Sequence, residues 1–117
     1  MNQFYKKTDI ENILANYDIQ KDFYVPNSLF KNMIYRSLRL EVKWAYIALL
    51  HLCLSNPNYD SQDQALMTYS KNQMAKPMEK LMNKAIDDSK VIKYLDELEE
   101  CGLLIECNGQ KYLKKIV

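Results

Sequence analysis

Residues 98–113 have the sequence LEECGLLIECNGQKYL, which contains the strongest local signals for the fold class. It begins as the end of a helix, and Gly102 stands where a helix commonly terminates in a left-handed residue. Leu98 and Leu103 occupy the two positions whose side chains touch in a Schellman stop. The pair Asn108-Gly109 then separates two short apolar runs, which is the strongest short-range signal for a two-residue hairpin turn. We therefore predict a helix that ends at Gly102 and leads directly into a β-hairpin.

The predicted hairpin has a register in which all the cross-strand neighbours are compatible. The facing pairs are Glu106–Lys111, Ile105–Tyr112 and Leu104–Leu113. They form a charge pair, an aromatic–β-branched pair and an aliphatic pair, and each kind stabilises an antiparallel sheet.

Capping signals predict the helices that precede the hairpin. Asp87 or Asp88 caps a helix that runs to Cys101. Ser70 and Gln73 form a capping box for a short helix. Proline is favourable at a first helical position, so we predict that a further helix begins at Pro77. The helix capped by Asp87 or Asp88 has an apolar stripe of Val91, Leu95 and Leu98. The helix that begins at Pro77 has an apolar stripe of Met78, Leu81, Met82 and Ala85.

The longest apolar run predicts a central core helix over residues 40–54. Its apolar residues form two stripes, so the helix is buried on two sides. The stripes are Val42, Ala45, Tyr46, Leu49 and Cys53, and Trp44, Ile47, Leu50 and Leu54. Residues 55–61 have the composition of a loop.

Shorter elements are predicted on both sides of the core helix. Residues 8–18 have the spacing of an amphipathic helix. Residues 23–25 are typical of a short strand, and Pro26 begins a single helical turn that extends to Phe30. Residues 65–69 are predicted to form a second short strand.

The predicted order of elements is that of a winged helix-turn-helix domain. From residue 70 to residue 113 every local signal agrees with this order. We predict an α+β fold, mostly α: a winged helix-turn-helix domain with a C-terminal β-hairpin wing and an N-terminal helical extension. The extension covers residues 1–22 and the winged-helix domain residues 23–117. A chain of 117 residues is long enough for one such domain with one core.

The composition excludes several classes of protein. Two Gly and three Pro residues are too few for a collagen-like or disordered linker chain. A net charge of +1 provides no global field for nucleic acid or membrane, so either role needs a local patch. The first residues, MNQFYKK, lack the apolar run of a signal peptide, and the apolar residues 44–54 are too few to span a membrane. We expect a cytoplasmic protein without membrane contact.

No constellation typical of catalysis is present in the sequence. His51 is the sole histidine and lies within the core-helix run, so we interpret it as a packing residue rather than a catalyst. Cys53, Cys101 and Cys107 form no CxxC pair, which predicts reduced thiols rather than disulfides or a zinc site. The acidic residues between 96 and 100 are interpreted as a solvated helix face. We predict a protein that is not an enzyme and needs no metal or cofactor.

A local excess of lysine predicts a nucleic-acid surface. Between residues 70 and 93, six lysines stand against three acidic residues. Lys76, Lys80 and Lys84 recur every fourth residue, and on one helix they would repel one another. Phosphate contacts would relieve this repulsion, but a solvated face is an equal alternative. The candidate nucleic-acid-binding residues of this segment are Lys71, Lys76, Lys80, Lys84, Ser89, Lys90 and Lys93.

Ser89, Lys90 and Lys93 occupy the first turns of the predicted recognition helix, which meet base edges or phosphates in such domains. Lys111, on the wing, is a further candidate, either for a phosphate contact or only as the cross-strand partner of Glu106. However, residues 87–100 contain two lysines and six acidic residues, which is unfavourable for insertion into a DNA groove.

Aromatic residues suggest a protein partner as an alternative. Nine Tyr, three Phe and one Trp are many for a core of this size, and clustered exposed aromatics mark interfaces. The residues considered for exposure are Phe4, Tyr5, Tyr24, Tyr35, Trp44 and Tyr59. Together with the acidic helix, they favour a winged helix that docks on protein.

Three segments resemble one protein family. FYVPNSLF at residues 23–30 resembles the pattern FYxLPKxLF, and LRLEVKWAY at residues 38–46 resembles the helix start LSxEAKxxY. KVIKYLDELEECGLL at residues 90–104 resembles the recognition-helix pattern KVxKxLxELEExGLI. These patterns are those of the replication initiator A N-terminal family, found on plasmids and mobile elements of low-GC Gram-positive bacteria. The resemblance implies a DNA-binding domain that initiates plasmid replication, usually as a dimer.

The sequence departs from this family at three points. Arg39 stands where the family has a capping serine, and the span from Ser70 to Asp87 is longer than the usual helix-turn. The chain also ends directly after the wing, where initiators carry a further domain, so we expect either an excised domain or a small relative with an accessory role.

The expected function is DNA binding by a winged helix in the replication of a plasmid or other mobile element. One alternative is an accessory subunit that binds a replication polymerase, primase or helicase. Another is a small transcriptional regulator. DNA is the expected partner, with replication proteins or a second copy of the chain as further ones.

Overall fold

Six helices are followed by one β-hairpin in residues 3–116, the part of the chain that a computed structural model describes. The helices are α1 (Lys7–Asn16), α2 (Asn27–Lys31), α3 (Met33–Arg36), α4 (Leu40–Ser55), α5 (Lys71–Met82) and α6 (Asp88–Glu100). The strands are β1 (Leu104–Cys107) and β2 (Gln110–Leu113). The fold is therefore mostly helical with a two-stranded antiparallel sheet, as predicted. In this part of the chain, no helix has the length and apolarity needed to cross a membrane.

Helix α4 is the centre of the core, which confirms the prediction from its two apolar stripes. It contacts α1, α5, α6 and β2. Ala45, Tyr46, Leu49 and Leu50 are wholly buried. Trp44 alone among the predicted stripe residues is only half-buried. A helix that is apolar on most of its surface is stable only when other elements surround it.

The end of α6 and the hairpin have the predicted geometry. Gly102 has a φ of +79°, and the N–H of Leu103 donates to the carbonyl of Leu98 at 2.9 Å, as in a Schellman stop. Asn108 and Gly109 have φ angles of 54° and 78°, which the two-residue turn requires. The cross-strand partners are the predicted ones: Leu104 with Leu113, Ile105 with Tyr112 and Glu106 with Lys111.

Helix α5 differs from the prediction, because one helix replaces the predicted two. The capping box is present: Gln73 N–H donates to Ser70 Oγ at 3.1 Å, and Ser70 N–H donates to Gln73 Oε1 at 2.9 Å. Pro77, however, lies inside the helix and does not begin a new one. A proline there removes one helical hydrogen bond. Burial of Met74 and Met78 in the core offsets that cost, and Asn83, in left-handed conformation, follows the last helical residue.

The two short strands predicted outside the hairpin are absent from the described residues. Residues 23–25 are held instead by aromatic contacts, such as that between the rings of Phe23 and His51 at 4.6 Å. Residues 65–69 run beside three different segments. Leu66 N–H donates to the carbonyl of Asn58 at 2.7 Å. Ala65 N–H donates to the carbonyl of Tyr5 at 2.8 Å, and Met67 N–H donates to that of Lys111 at 2.9 Å. Such divided pairing leaves isolated bridges rather than a continuous ladder.

The N-terminal residues pack on the same core as α4. The Asp9 carboxylate accepts a hydrogen bond from the Lys6 N–H at 2.9 Å and so caps α1. Tyr5 and Ile10 are buried in the main cluster of core residues. Pro26 directly precedes α2, as expected for a helical turn there, whereas α3 was not predicted. The predicted boundary between residues 22 and 23 stays a prediction.

Candidate nucleic-acid interface

The N-terminus of α6 is shaped by Asp87. Its carboxylate Oδ1 accepts hydrogen bonds from the Lys90 N–H and from the Ser89 hydroxyl, both at 2.9 Å. These hydrogen bonds, the backbone one first, lower the pKa of Asp87. The charge of Asp87 is therefore directed at the first turn of the helix, where it also matches the helix dipole.

Helix α6 exposes the predicted contact residues. Val91, Tyr94 and Leu98 form its buried face, whereas Ser89, Lys90 and Lys93 are exposed. Neither Lys90 nor Lys93 makes an ion pair with any residue between 3 and 116. Tyr94 lies three residues after Val91 and four before Leu98, so its helical spacing already indicated a buried position. The predicted Leu95 is half-buried beside it.

A polar cluster attaches α6 to the start of α4. The Arg39 guanidinium donates to both carboxylate oxygens of Glu97, at 2.8 and 2.9 Å. Tyr94 donates its hydroxyl hydrogen to Glu41, and Lys84 pairs with Glu41 at 2.6 Å. The hydrogen bond from Lys84 comes first among the causes that lower the pKa of Glu41 to about 2. The cluster orients α6. Sequence reasoning assigned no role to Glu41 or Tyr94, and its interpretation of Glu97 as part of a solvated face is wrong, because Glu97 is paired with Arg39.

Lys84 does not belong to a lysine row on α5, contrary to the spacing argument. Helix α5 ends at Met82, and Asn83 turns the chain away with a φ of 54°. The Lys84 ammonium is thereby brought to Glu41. This ion pair links residues 43 positions apart in the chain, so spacing along one helix carried no information about it.

Lys111 also has a partner that its strand did not predict. Its ammonium donates to Glu99 of α6 at 2.7 Å, although its backbone is opposite Glu106 in the sheet. Side chains of a strand stand out from the sheet, and the hairpin folds back against α6. The prediction that Glu106 is the ionic partner is therefore wrong.

These ion pairs change the charge of the predicted recognition helix. Two of the acidic side chains in residues 87–100, Glu97 and Glu99, are paired with Arg39 and Lys111. Asp87 caps the helix. The repulsion that a phosphate would meet along α6 is consequently weaker than the sequence count suggested, and the unpaired lysines lie on its first two turns.

Lys76 and Lys80 lie elsewhere, on the exposed side of α5. Both line a groove of about 740 Å³ formed with residues 19–23 and the C-terminal half of α4. The Lys80 ammonium lies 5.9 Å from the centre of the Phe23 ring. Lys71 is exposed in the first turn of α5. The predicted lysines thus divide into one group on α6 and another on α5, while Lys84 and Lys111 are held in ion pairs.

The aromatic residues considered for exposure are all buried or half-buried. Phe4, Tyr5 and Tyr35 are buried, and Tyr24, Trp44 and Tyr59 are half-buried. They pack against the core instead of facing solvent. The Phe4 ring, for example, stacks on the ring of Tyr112 with centroids 4.4 Å apart. The most exposed large apolar side chains are instead Met33 (79% exposed) and Ile34 (72% exposed) on α3, and two other aromatic residues, Phe30 and Tyr17, are exposed to a smaller extent.

His51 lies at the edge of the core, where its buried Nδ1 has no hydrogen-bond partner among the described residues. The His51 ring is half-buried against Phe23, and desolvation, followed by the nearby Lys80, lowers its pKa. Cys53, Cys101 and Cys107 are free thiols. Burial raises the pKa of the Cys53 thiol to about 12, so this thiol stays protonated.

Two solved structures are similar to the whole of this fold. One, named the N-terminal domain of a DNA-binding protein, is 24% identical and aligns with 100% of this chain and 86% of its own, with a TM-score of 0.59. The other, named the structure of an MDR initiator, is 26% identical and aligns with 98% of this chain and 88% of its own, with a TM-score of 0.56. No protein-family model and no curated protein matches the sequence. Together with the order of α5, α6 and the hairpin, these similarities show a winged-helix-like α+β fold.

Proposed function

We propose that this chain binds DNA through α6 and acts in the replication of a plasmid or other mobile element, as a replication-initiator N-terminal domain does. The observation that carries the proposal is the arrangement of α6. Its first two turns present Lys90 and Lys93 to solvent, while Glu97 and Glu99 farther along are paired with cations of the same chain. In helix-turn-helix proteins the N-terminal residues of this helix contact the DNA.

Two further observations support this proposal. The similar solved structures are named as a DNA-binding protein and an initiator. The resemblance of residues 23–30, 38–46 and 90–104 to an initiator family points to the same role. We propose that the protein has no catalytic activity of its own, since its one histidine packs against Phe23, and that it works in the cytoplasm, where plasmid DNA is replicated.

The test is the salt dependence of binding to a labelled random-sequence DNA duplex. Neutralised phosphates release counterions, so the logarithm of the association constant should fall linearly with that of the salt concentration. Contact with about two to four phosphates gives a slope of roughly −2 to −4. Fluorescence anisotropy at several salt concentrations measures it. Salt-insensitive binding, or none to any duplex, contradicts the proposal.

A second candidate function is that of an accessory subunit that binds a replication polymerase, primase or helicase. It is favoured by Asp96 and Glu100, which are exposed on α6 and make no ion pair within residues 3–116. It is also favoured by the exposed Met33 and Ile34, because apolar side chains at the surface are typical of protein interfaces. Absent duplex binding together with tight binding to one of these replication proteins would establish it.

A further inference from the structure

The groove beside α5 has the size of a ligand-binding site. Its volume is about 740 Å³, within the range of such sites. One wall is the segment of residues 19–23, and a second is the C-terminal half of α4 with His51 and Leu52. The third wall is a single face of α5. This groove contains none of the exposed lysines of α6.

The rim of the groove is mainly positive. Lys21, Lys76 and Lys80 line it against one carboxylate, that of Asp22. None of these three lysines has an ionic partner in the described chain. Lys76 and Lys80 lie one helical turn apart and repel each other, so an acidic occupant would lower the free energy of the groove itself.

The groove also has apolar surface. Ile19, Phe23 and Leu52 line it and are half-buried, and Pro77 is buried beside them. Water in contact with this surface would be released if an apolar side chain covered it. A purely ionic ligand would leave this surface wet.

Pro77, in the same wall, leaves one backbone acceptor of α5 without its helical donor. Proline has no N–H, so the carbonyl of Gln73, four residues earlier in α5, lacks its helical partner. Gln73 and Pro77 both line the groove. A peptide backbone brings N–H donors, whereas a phosphodiester backbone brings only acceptors. This feature favours a peptide over the backbone of a nucleic acid.

From these features we infer that the groove binds a short acidic peptide segment of a partner protein, with one apolar side chain of the segment seated against Phe23 and Pro77. Carboxylates of the segment pair with Lys76 and Lys80, and one of its backbone N–H groups donates to the Gln73 carbonyl. The site is separate from the proposed DNA-binding surface and does not depend on DNA binding.

The experiment selects ligands from a library of random short peptides displayed on phage, with the full chain immobilised. We expect enriched peptides to combine Asp or Glu with an adjacent large apolar residue. One such peptide is then synthesised with a fluorescent label and titrated with protein variants. Lys76→Glu with Lys80→Glu should weaken its binding at least tenfold. Pro77→Ala restores the helical N–H to Gln73 and also removes the proline ring from the apolar seat, so it should weaken binding at least threefold.

The matched control is Lys90→Glu with Lys93→Glu, which makes the same charge change on α6. It should leave peptide affinity unchanged while weakening duplex binding, and the Lys76/Lys80 variant should do the reverse. Thermal unfolding of each variant verifies that it folds. The inference is overturned if no peptide is enriched or if the enriched peptides are not acidic. It is also overturned if the control variant weakens peptide binding as much as the Lys76/Lys80 variant does. Displacement of the peptide by random-sequence duplex DNA would also overturn it, since the groove would then bind nucleic acid.

Discussion

The hydroxyl groups of Tyr5 and Tyr46 lie 2.7 Å apart in the core and join three distant parts of the chain. Tyr46, in α4, donates to the carbonyl of Lys114 at 2.6 Å. Tyr5 accepts a hydrogen bond from the N–H of Ile116 at 3.2 Å. Burial raises the pKa of Tyr5 to about 12 and also raises the pKa of Tyr46, so both phenols stay neutral. The N-terminal segment, the core helix and the residues after the hairpin are thus held by one buried polar network.

Removing either hydroxyl should destabilise the fold. Tyr46→Phe leaves the Lys114 carbonyl without its donor, and Tyr5→Phe leaves the Ile116 N–H without its acceptor. Each change should lower the free energy of unfolding by about 1–3 kcal/mol. Because the two hydroxyls are hydrogen-bonded to each other, the loss of unfolding free energy in the double variant should be smaller than the sum of the two single losses. The difference should be at least about 0.5 kcal/mol. Urea unfolding of the four proteins measures this, and strict additivity would contradict the network.

Glu41 should make stability depend on acid pH. Its pKa is lowered from 4.5 to about 2 in the folded protein, first by Lys84 and then by Tyr94. A lowered carboxylate pKa stabilises the fold above the unfolded value, and this contribution disappears as the pH falls from about 4.5 to about 2. Glu41→Gln should therefore show a shallower loss of stability across this window. Since the partners are partly exposed, the difference at neutral pH should be about 1 kcal/mol or less.

Urea unfolding at a series of pH values tests the role of Glu41. Asp9, Asp60 and Asp87 also have lowered pKa values, and they contribute equally in both proteins. The control is Glu100→Gln, an exposed position outside the cluster of Glu41 and Arg39. If Glu41→Gln and the control show the same pH dependence as the unmodified chain, the ion pair with Lys84 does not stabilise the fold.

Gly109 should be required for its backbone conformation. Its φ is +78°, and an added Cβ would meet no atom within 4 Å, so a substitution changes only backbone strain. Gly109→Val should destabilise the hairpin by more than about 1 kcal/mol. Asn108→Gly, at the neighbouring turn position, should change stability little. Thermal unfolding compares the two, and an unchanged midpoint for Gly109→Val would be inconsistent with the turn.

Lys90 and Lys93 should carry DNA binding. Converting both to Glu should leave stability within about 0.5 kcal/mol, because both side chains are exposed. It should weaken duplex binding about tenfold or more, since two attractions to phosphate become repulsions. Anisotropy with the labelled duplex measures the loss.

The control for Lys90 and Lys93 is Asp96→Lys with Glu100→Lys, farther along α6. Asp96 and Glu100 are chosen because neither is in an ion pair within residues 3–116, whereas replacing Glu99 would break its ion pair with Lys111. The control should not weaken duplex binding. If the acidic positions matter for partner binding and the two lysines do not, the accessory-subunit function is favoured instead.

Local signals were enough to predict the hairpin, the end of α6 and the start of α5. The turn at Asn108-Gly109, the stop at Gly102 and the cap formed by Ser70 each depend on backbone angles and hydrogen bonds among residues close in sequence. The burial of α4 also followed from its composition, because a helix that is apolar on two sides must be covered. For the same reason the exposed position of Lys90 and Lys93 could be expected from the apolar spacing of α6.

The partners of the charged and polar side chains depend on how distant parts of the chain pack together. Lys84 pairs with Glu41, Lys111 with Glu99, and Tyr5 with Tyr46, and in none of these pairs does local spacing identify the partner. Pro77 stays inside α5 because core burial of that helix outweighs the intrinsic cost of proline. The groove beside α5 likewise exists only after α4 and residues 19–23 have packed around it. These features are determined by contacts between residues that are distant in sequence. Helix propensity and apolar periodicity describe only a short window of residues, so they cannot predict such contacts.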